Sequence, residues 1–180
     1  GTGLASTGAT GTTTVTIVGD TAASTITVAG GAGSDANLEV SEADLATIGS
    51  DFSDVRIGMA SADGTVGGEA QADQSGTITS NAGDGTLNFS SANLSLRGVA
   101  ATTTITSAID TSGASGRTLA VEGTAINLNS DLTTDAADIS FTGPVTVNKG
   151  GATAVGTGAG AGDITFGSTL ALTSGGADDL

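Results

Sequence analysis

Residues 138–152 read DISFTGPVTVNKGGA, and residues 163–177 read DITFGSTLALTSGGA. Aligned, they pair Asp138 with Asp163, Ile139 with Ile164, Phe141 with Phe166, Val145 with Leu170 and Val147 with Leu172. Both then close on Gly-Gly-Ala. What persists is an apolar residue at every second position, a short break, a second such pair and a glycine turn. What drifts lies between. Alternation of period two places one set of side chains on one face of a strand. A unit that keeps its pattern while losing its letters is a structural repeat, and repeats of 20–50 residues announce a stacked array.

The same alternation runs outward through the chain. It recurs at TVTIV (14–18), TITVA (25–29), NLEVS (37–41), VRIGM (55–59), GTITS (76–80), TLNFS (86–90) and NLSLR (93–97). Further on it appears at TTITS (103–107), TLAVE (118–122) and AINLN (125–129). Each run has ordinary strand length, and Gly, Asp, Asn and Ser clusters between them carry turn chemistry. Leu87/Phe89 followed by Leu94/Leu96 reads as a second paired unit, and Leu119/Val121 followed by Ile126/Leu128 as a third. Helical composition is confined to VSEADLATIG (40–49), with Ser41 as candidate N-cap and Gly49 as stop. A helix of one or two turns competes there with a polar loop.

Two architectures suit many short strands. An antiparallel sandwich calls for large core aromatics and a period near 100 residues. This chain has four Phe, no Trp, no Tyr and a far shorter echo. The expected fold is therefore all-β: a parallel β-solenoid of about seven turns, each adding ~4.8 Å of strand spacing. Ile139, Phe141, Val145 and Val147 are expected to point inward and stack on Ile164, Phe166, Leu170 and Leu172. Pro144 lies between the two strands of a unit, where its missing donor costs nothing. No capping helix or charged end turn is read from the sequence, so residues 1–180 are expected to be one solenoid segment, an internal slice of a longer repetitive chain.

Composition narrows function by exclusion. Nineteen acids face four basic residues, a net charge of −15. Nucleic acid binding releases counterions through clustered Lys and Arg, and Arg56, Arg97, Arg117 and Lys149 are spread singly. Anionic lipid fails on the same ground, and no apolar run is long enough to span a bilayer. With no Cys there is no disulfide framework, and with no His or Cys the usual general base, nucleophile pair and zinc ligands are missing together. A carboxylate pair is the one catalytic constellation left, as in β-helix enzymes that cut polysaccharides. Sugar sites also favour aromatic platforms, which this chain lacks. The expectation is no catalytic residue, no cofactor and no enzyme.

Calcium is the more serious ligand, because hard cations take carboxylate and carbonyl oxygens. GGAGSDANL (30–38) approximates the nonapeptide G-G-x-G-x-D-x-U-x, with its apolar residue one place late and in a single copy. Asp35 is the candidate metal ligand. The DGT triplets at 63–65 and 84–86 and the acids Asp131, Asp135 and Asp138 read equally as turn formers. The glycine pairs at 67–68, 150–151 and 175–176 match no phosphate loop.

The stretch DLATIGSDFSDVRIGMASADGTV (44–66), with DISFTGPVTV and DITFGSTLALTSGGADDL, resembles the repeat region of large bacterial surface exoproteins of the filamentous-haemagglutinin type. The likeness covers residues 36–180, while residues 1–35 match in style alone. Asp51 stands where that pattern has a glycine before Phe52. The resemblance implies a right-handed β-helix shaft, secreted across the outer membrane and displayed on the bacterial surface as an adhesin or filament. The expected partners are neighbouring repeats of the same chain or copies placed end to end, because solenoid ends expose unpaired strand edges, with cell-surface glycans or proteins as targets and no insertion into the membrane. A calcium-stabilised β-roll-like module and a polysaccharide-active β-helix are the alternatives.

Overall fold

The computed structural model describes residues 3–9, 12–28, 38–48, 52–66, 69–81, 85–148 and 152–173. Strand makes up 48% of the chain and helix 6%, so the class is all-β. Parallel strands dominate, gathered in one 12-stranded sheet and a second of four strands, an arrangement consistent with a solenoid.

The strands fall into three columns that the chain visits in turn. The first stacks Thr12–Val18, Asp54–Ile57, the leading half of Asn93–Ile105, the leading half of Leu119–Leu128, Ile139–Thr142 and Ile164–Phe166, all parallel. The second stacks Ile26–Val28, Ile78–Ser80, the trailing halves of those two long strands, Val145–Val147 and Leu170–Leu172. The third holds the two-residue strands Leu87–Asn88, Ile109–Asp110, Leu132–Thr133 and Val155–Gly156.

Register is what turns these columns into a core. Val55, Leu94, Leu119, Ile139 and Ile164 lie beside one another, as do Ile57, Leu96, Val121, Phe141 and Phe166. Like stacks on like because a period of two puts every apolar residue on the same side. All of these except Ile164 and Phe166 are buried, as are Val145 and Val147. Each fully buried aliphatic contributes about 1.5–3 kcal/mol of transfer free energy. Two polar residues interrupt the second column without being left unpaired. Thr103 Oγ1 donates to the Glu122 carbonyl at 2.7 Å, and Ser80 Oγ to the Ser107 carbonyl at 3.1 Å.

Four of the predicted pairs hold: Ile139 lies beside Ile164, Phe141 beside Phe166, Val145 beside Leu170 and Val147 beside Leu172, while the closing glycine turns at 150–151 and 175–176 lie outside the described residues. The second predicted unit needs correction. Leu87 belongs to the third column, beside Ile109, and Leu94/Leu96 lead a unit whose trailing half is Thr103/Ile105. Leu94 then registers with Leu119, which is the true repeat.

Corners between the first two columns are tight, and glycine makes them so. Gly143 has φ +126°, and a Cβ there would land on the Gly123 carbonyl oxygen. Next to it the Pro144 carbonyl accepts the Ile126 N–H at 2.8 Å, so the proline keeps its acceptor in the ladder.

The segment 40–49 resolves as a helix, Glu42–Ile48, not a polar loop. Ser41 caps it: Ser41 Oγ accepts the Asp44 N–H at 3.1 Å, while Asp44 Oδ2 accepts the Ser41 N–H at 3.0 Å. Gly49, the predicted stop, lies outside the described residues. The helix follows Leu38–Val40, a strand that among the described residues pairs only with Ile26–Val28, and sinks Leu45 fully into the core. Gly3–Ala9 pairs antiparallel along Thr12–Val18. The expectation that no helix caps this stack is therefore corrected: a helix and an antiparallel strand lie at its leading end.

Candidate functional site

The first and second columns are joined closely at most levels, but between Ile57 and Ile78 the chain makes an excursion. It holds a 3₁₀ turn, Ser61–Asp63, and a small antiparallel hairpin of Thr65–Val66 with Glu69–Ala70. Gly58, at φ +107°, opens it, with the Arg97 carbonyl too near to admit a side chain.

Alternation aims Arg56 and Arg97 away from the core, on the outer surface of the first column, where the excursion folds back. Asp63 sits between them. Its Oδ1 accepts from Arg56 Nη1 at 3.2 Å, and its Oδ2 from Arg97 Nη1. Arg97 is also registered beside Glu122, with Nε to Oε2 at 3.7 Å. Two cations and two carboxylates therefore cancel across three parallel strands and one inserted turn. The Asp63 side chain is 12% exposed and that of Arg97 17%. At that depth the attraction exceeds that of a surface pair, while desolvation offsets part of it.

Two further anchors hold the excursion. Ser61 donates its N–H and its hydroxyl to Asp73 Oδ1, each at 2.8 Å. These bonds hold the Asp73 carboxyl below the usual carboxylate range. Gln74 is fully buried, its Nε2 donating to the carbonyls of Ser24 at 2.6 Å and Gly76 at 2.9 Å. In the sequence Asp63 reads only as part of a DGT turn. Its arginine partners come from different strands, so no local spacing reveals them.

Of the other acids named from sequence, Asp131 and Asp138 fall on separate ladders. Asp131 Oδ1 accepts the Ala154 N–H at 2.9 Å, and Asp138 Oδ1 accepts the Asp163 N–H at 2.9 Å. Asn93 Oδ1 takes the Thr118 N–H at 3.0 Å in the same manner. In each case a side-chain oxygen at the head of one strand satisfies the first amide of the next level. Asp54 heads another level. Partial burial pushes its carboxyl up, but the Ser53 hydroxyl, the Asn93 amide and the charges of Arg56 and Arg117 outweigh that and hold it below the usual range. These acids close ladders.

Asp35, the candidate calcium ligand, lies outside the described residues, as do Asp51, Asp84, Lys149 and the glycine pairs at 67–68, 150–151 and 175–176. Among the described residues no three acids converge where a metal ion could be held. No helix of the described residues is long and apolar enough to cross a membrane. Comparison with family models, curated proteins and solved structures returned no match.

Proposed function

We propose that this chain is a non-catalytic structural shaft: a right-handed parallel β-helix segment of an extracellular bacterial surface protein, an adhesin or surface filament. The observation that carries this reading is the like-on-like register, in which Leu94, Leu119, Ile139 and Ile164 continue one column through successive levels. A stack of this kind transmits stiffness along its axis and leaves its outer surface free to vary. Right-handedness follows from the hand that parallel crossovers almost always take. About seven turns are expected, and the first column supplies six parallel strands among the described residues.

Electrostatics supports the same reading. The Arg56–Asp63–Arg97–Glu122 cluster spends its charge on tying an excursion to the shaft, and the strand-head acids accept backbone amides. The resemblance to filamentous-haemagglutinin-type repeats points to secretion across the outer membrane and display at the cell surface. Direct binding to glycans or proteins there would be polar, weak at each level and summed along the rod. Surface labelling of intact cells, with an attachment assay in a deletion strain, tests the proposal. Accessible protein and reduced attachment are expected. Strictly cytoplasmic protein, or turnover of a glycan by the purified chain, overturns it.

A further inference from the structure

The two main columns differ on their outer sides. Outside the first stand Asp54, Arg56, Arg97 and Glu122, in keeping with a chain of net charge −15. Outside the second, parallel register draws Thr27, Thr79, Thr104, Asn127, Thr146 and Ala171 into one rank, a single residue per level. Two residues earlier along the strands, Thr25, Thr77 and Thr102 lie beside the first three, so three successive levels present T-x-T. None of these residues is charged, and Glu39, registered beside Thr27, marks the edge. The fold does not use most of these hydroxyls. Thr103, Thr111 and Thr134 each donate theirs to a backbone carbonyl. Those of Thr27, Thr77, Thr79, Thr102 and Thr146 have no partner among the described residues. Thr27 is 8% exposed. A hydroxyl on so covered a residue normally pairs, so an unpaired one on this face points to a ligand that hydrogen-bonds there.

The spacing says which ligand. Outward side chains repeat every ~4.8 Å from strand to strand and every ~6.6 Å along a strand. Both distances lie near the oxygen repeats on the prism faces of hexagonal ice. Each Thr offers a methyl group, which gains by shedding water, and a hydroxyl that both donates and accepts, as a lattice water does. β-Branching restricts χ1, so the array is largely ordered before it binds. A charged side chain would hold water in a shell of its own, and these ranks contain none. A neutral lattice thus meets an uncharged face of a strongly acidic chain. We propose that the outer face of the second column binds ice, centred on the T-x-T levels 25–27, 77–79 and 102–104. The inference uses parallel stacking alone and goes beyond the shaft reading.

The test uses the purified 180-residue chain and ice alone. Crystals held in its solution are expected to grow facets within a measurable gap between freezing and melting, and fine-grained ice should stop coarsening. Thr79→Lys with Thr104→Lys puts two charges in adjacent levels of the face and should abolish both effects. Ala120→Lys with Ser140→Lys puts the same charges in adjacent levels outside the first column and should leave both unchanged. Circular dichroism checks that each variant folds. Should the first pair not fold, Thr146→Lys alone is expected to narrow the gap. Wild-type chain that leaves crystals rounded and coarsening overturns the proposal. So do effects that survive Thr79→Lys with Thr104→Lys, or that vanish equally in the first-column pair. A dimer in sedimentation that Thr79→Lys with Thr104→Lys dissolves would give the face to a second copy and also overturns it. Ice is read on purified chain and display on intact cells, so either can fail alone.

Discussion

The ring of Phe141 lies flat against that of Phe166, with centroids 4.8 Å apart and planes 6° from parallel. The two residues occupy the same position in successive levels, so parallel register brings their rings face to face. Phe141 is buried, while Phe166 is only partly covered, at the last described level. Phe141→Ala should therefore destabilise the chain by about 3–5 kcal/mol. Phe166→Ala should cost clearly less. Urea unfolding followed by far-ultraviolet circular dichroism separates the two; equal losses would contradict this difference in burial.

Gly143 predicts a backbone effect with no side chain to lose. Its φ of +126° and the nearby Gly123 carbonyl leave no room for a methyl group. Gly143→Ala should cost about 1–3 kcal/mol or more. Gly85 has open space where a Cβ would go, so Gly85→Ala should be near neutral. A benign Gly143→Ala would mean that this corner is looser than described.

The Asp63 cluster predicts a hierarchy among charges. Asp63→Ala removes the carboxylate that Arg56 and Arg97 share, leaving Arg97 beside Glu122, and should cost about 1–2 kcal/mol. The Arg56 side chain is 40% exposed, so Arg56→Ala should cost under about 1 kcal/mol. Proteolysis within residues 58–77 should quicken in Asp63→Ala, because this contact pins the excursion. Unchanged cleavage would show that Gln74 and Asp73 suffice.

Asp54 supplies a pH dependence whose sign follows from its lowered pKa. A carboxyl depressed below its ordinary value of 3.8 binds fewer protons folded than unfolded. Its contribution is present above that value and is lost as pH falls through the folded pKa. Wild type and Asp54→Asn should differ in Tm at pH 6 and converge toward pH 2. A gap that widens on acidification would reverse the assignment.

Much of this fold was legible because period two needs no long-range knowledge. DISFT and DITFG form strands in the expected register, and Ser41, the candidate N-cap of VSEADLATIG, does cap the helix. The third column was not legible. Ile109, Leu132 and Val155 are each the single apolar residue of a two-residue strand, too short for alternation to show. Without that column, Leu87/Phe89 looked like the leading half of a unit. The end helix was under-read because one buried side chain, Leu45, makes it a cap, and its pattern alone fits a loop as well. The Asp63 cluster was hidden because Arg97 lies 34 residues away and meets Asp63 only once the strands stack.

Parallel stacking in register is tested most directly by the distance between two outward-facing neighbours. Ala120 and Ser140 lie side by side in adjacent levels, and parallel strands are ~4.8 Å apart. The chain has no cysteine, so nitroxide labels can be placed at these two positions alone, by Ala120→Cys with Ser140→Cys. Strong dipolar broadening of the frozen-solution spectrum relative to the sum of the single-label spectra is expected. A doubly labelled spectrum equal to that sum would contradict the stack.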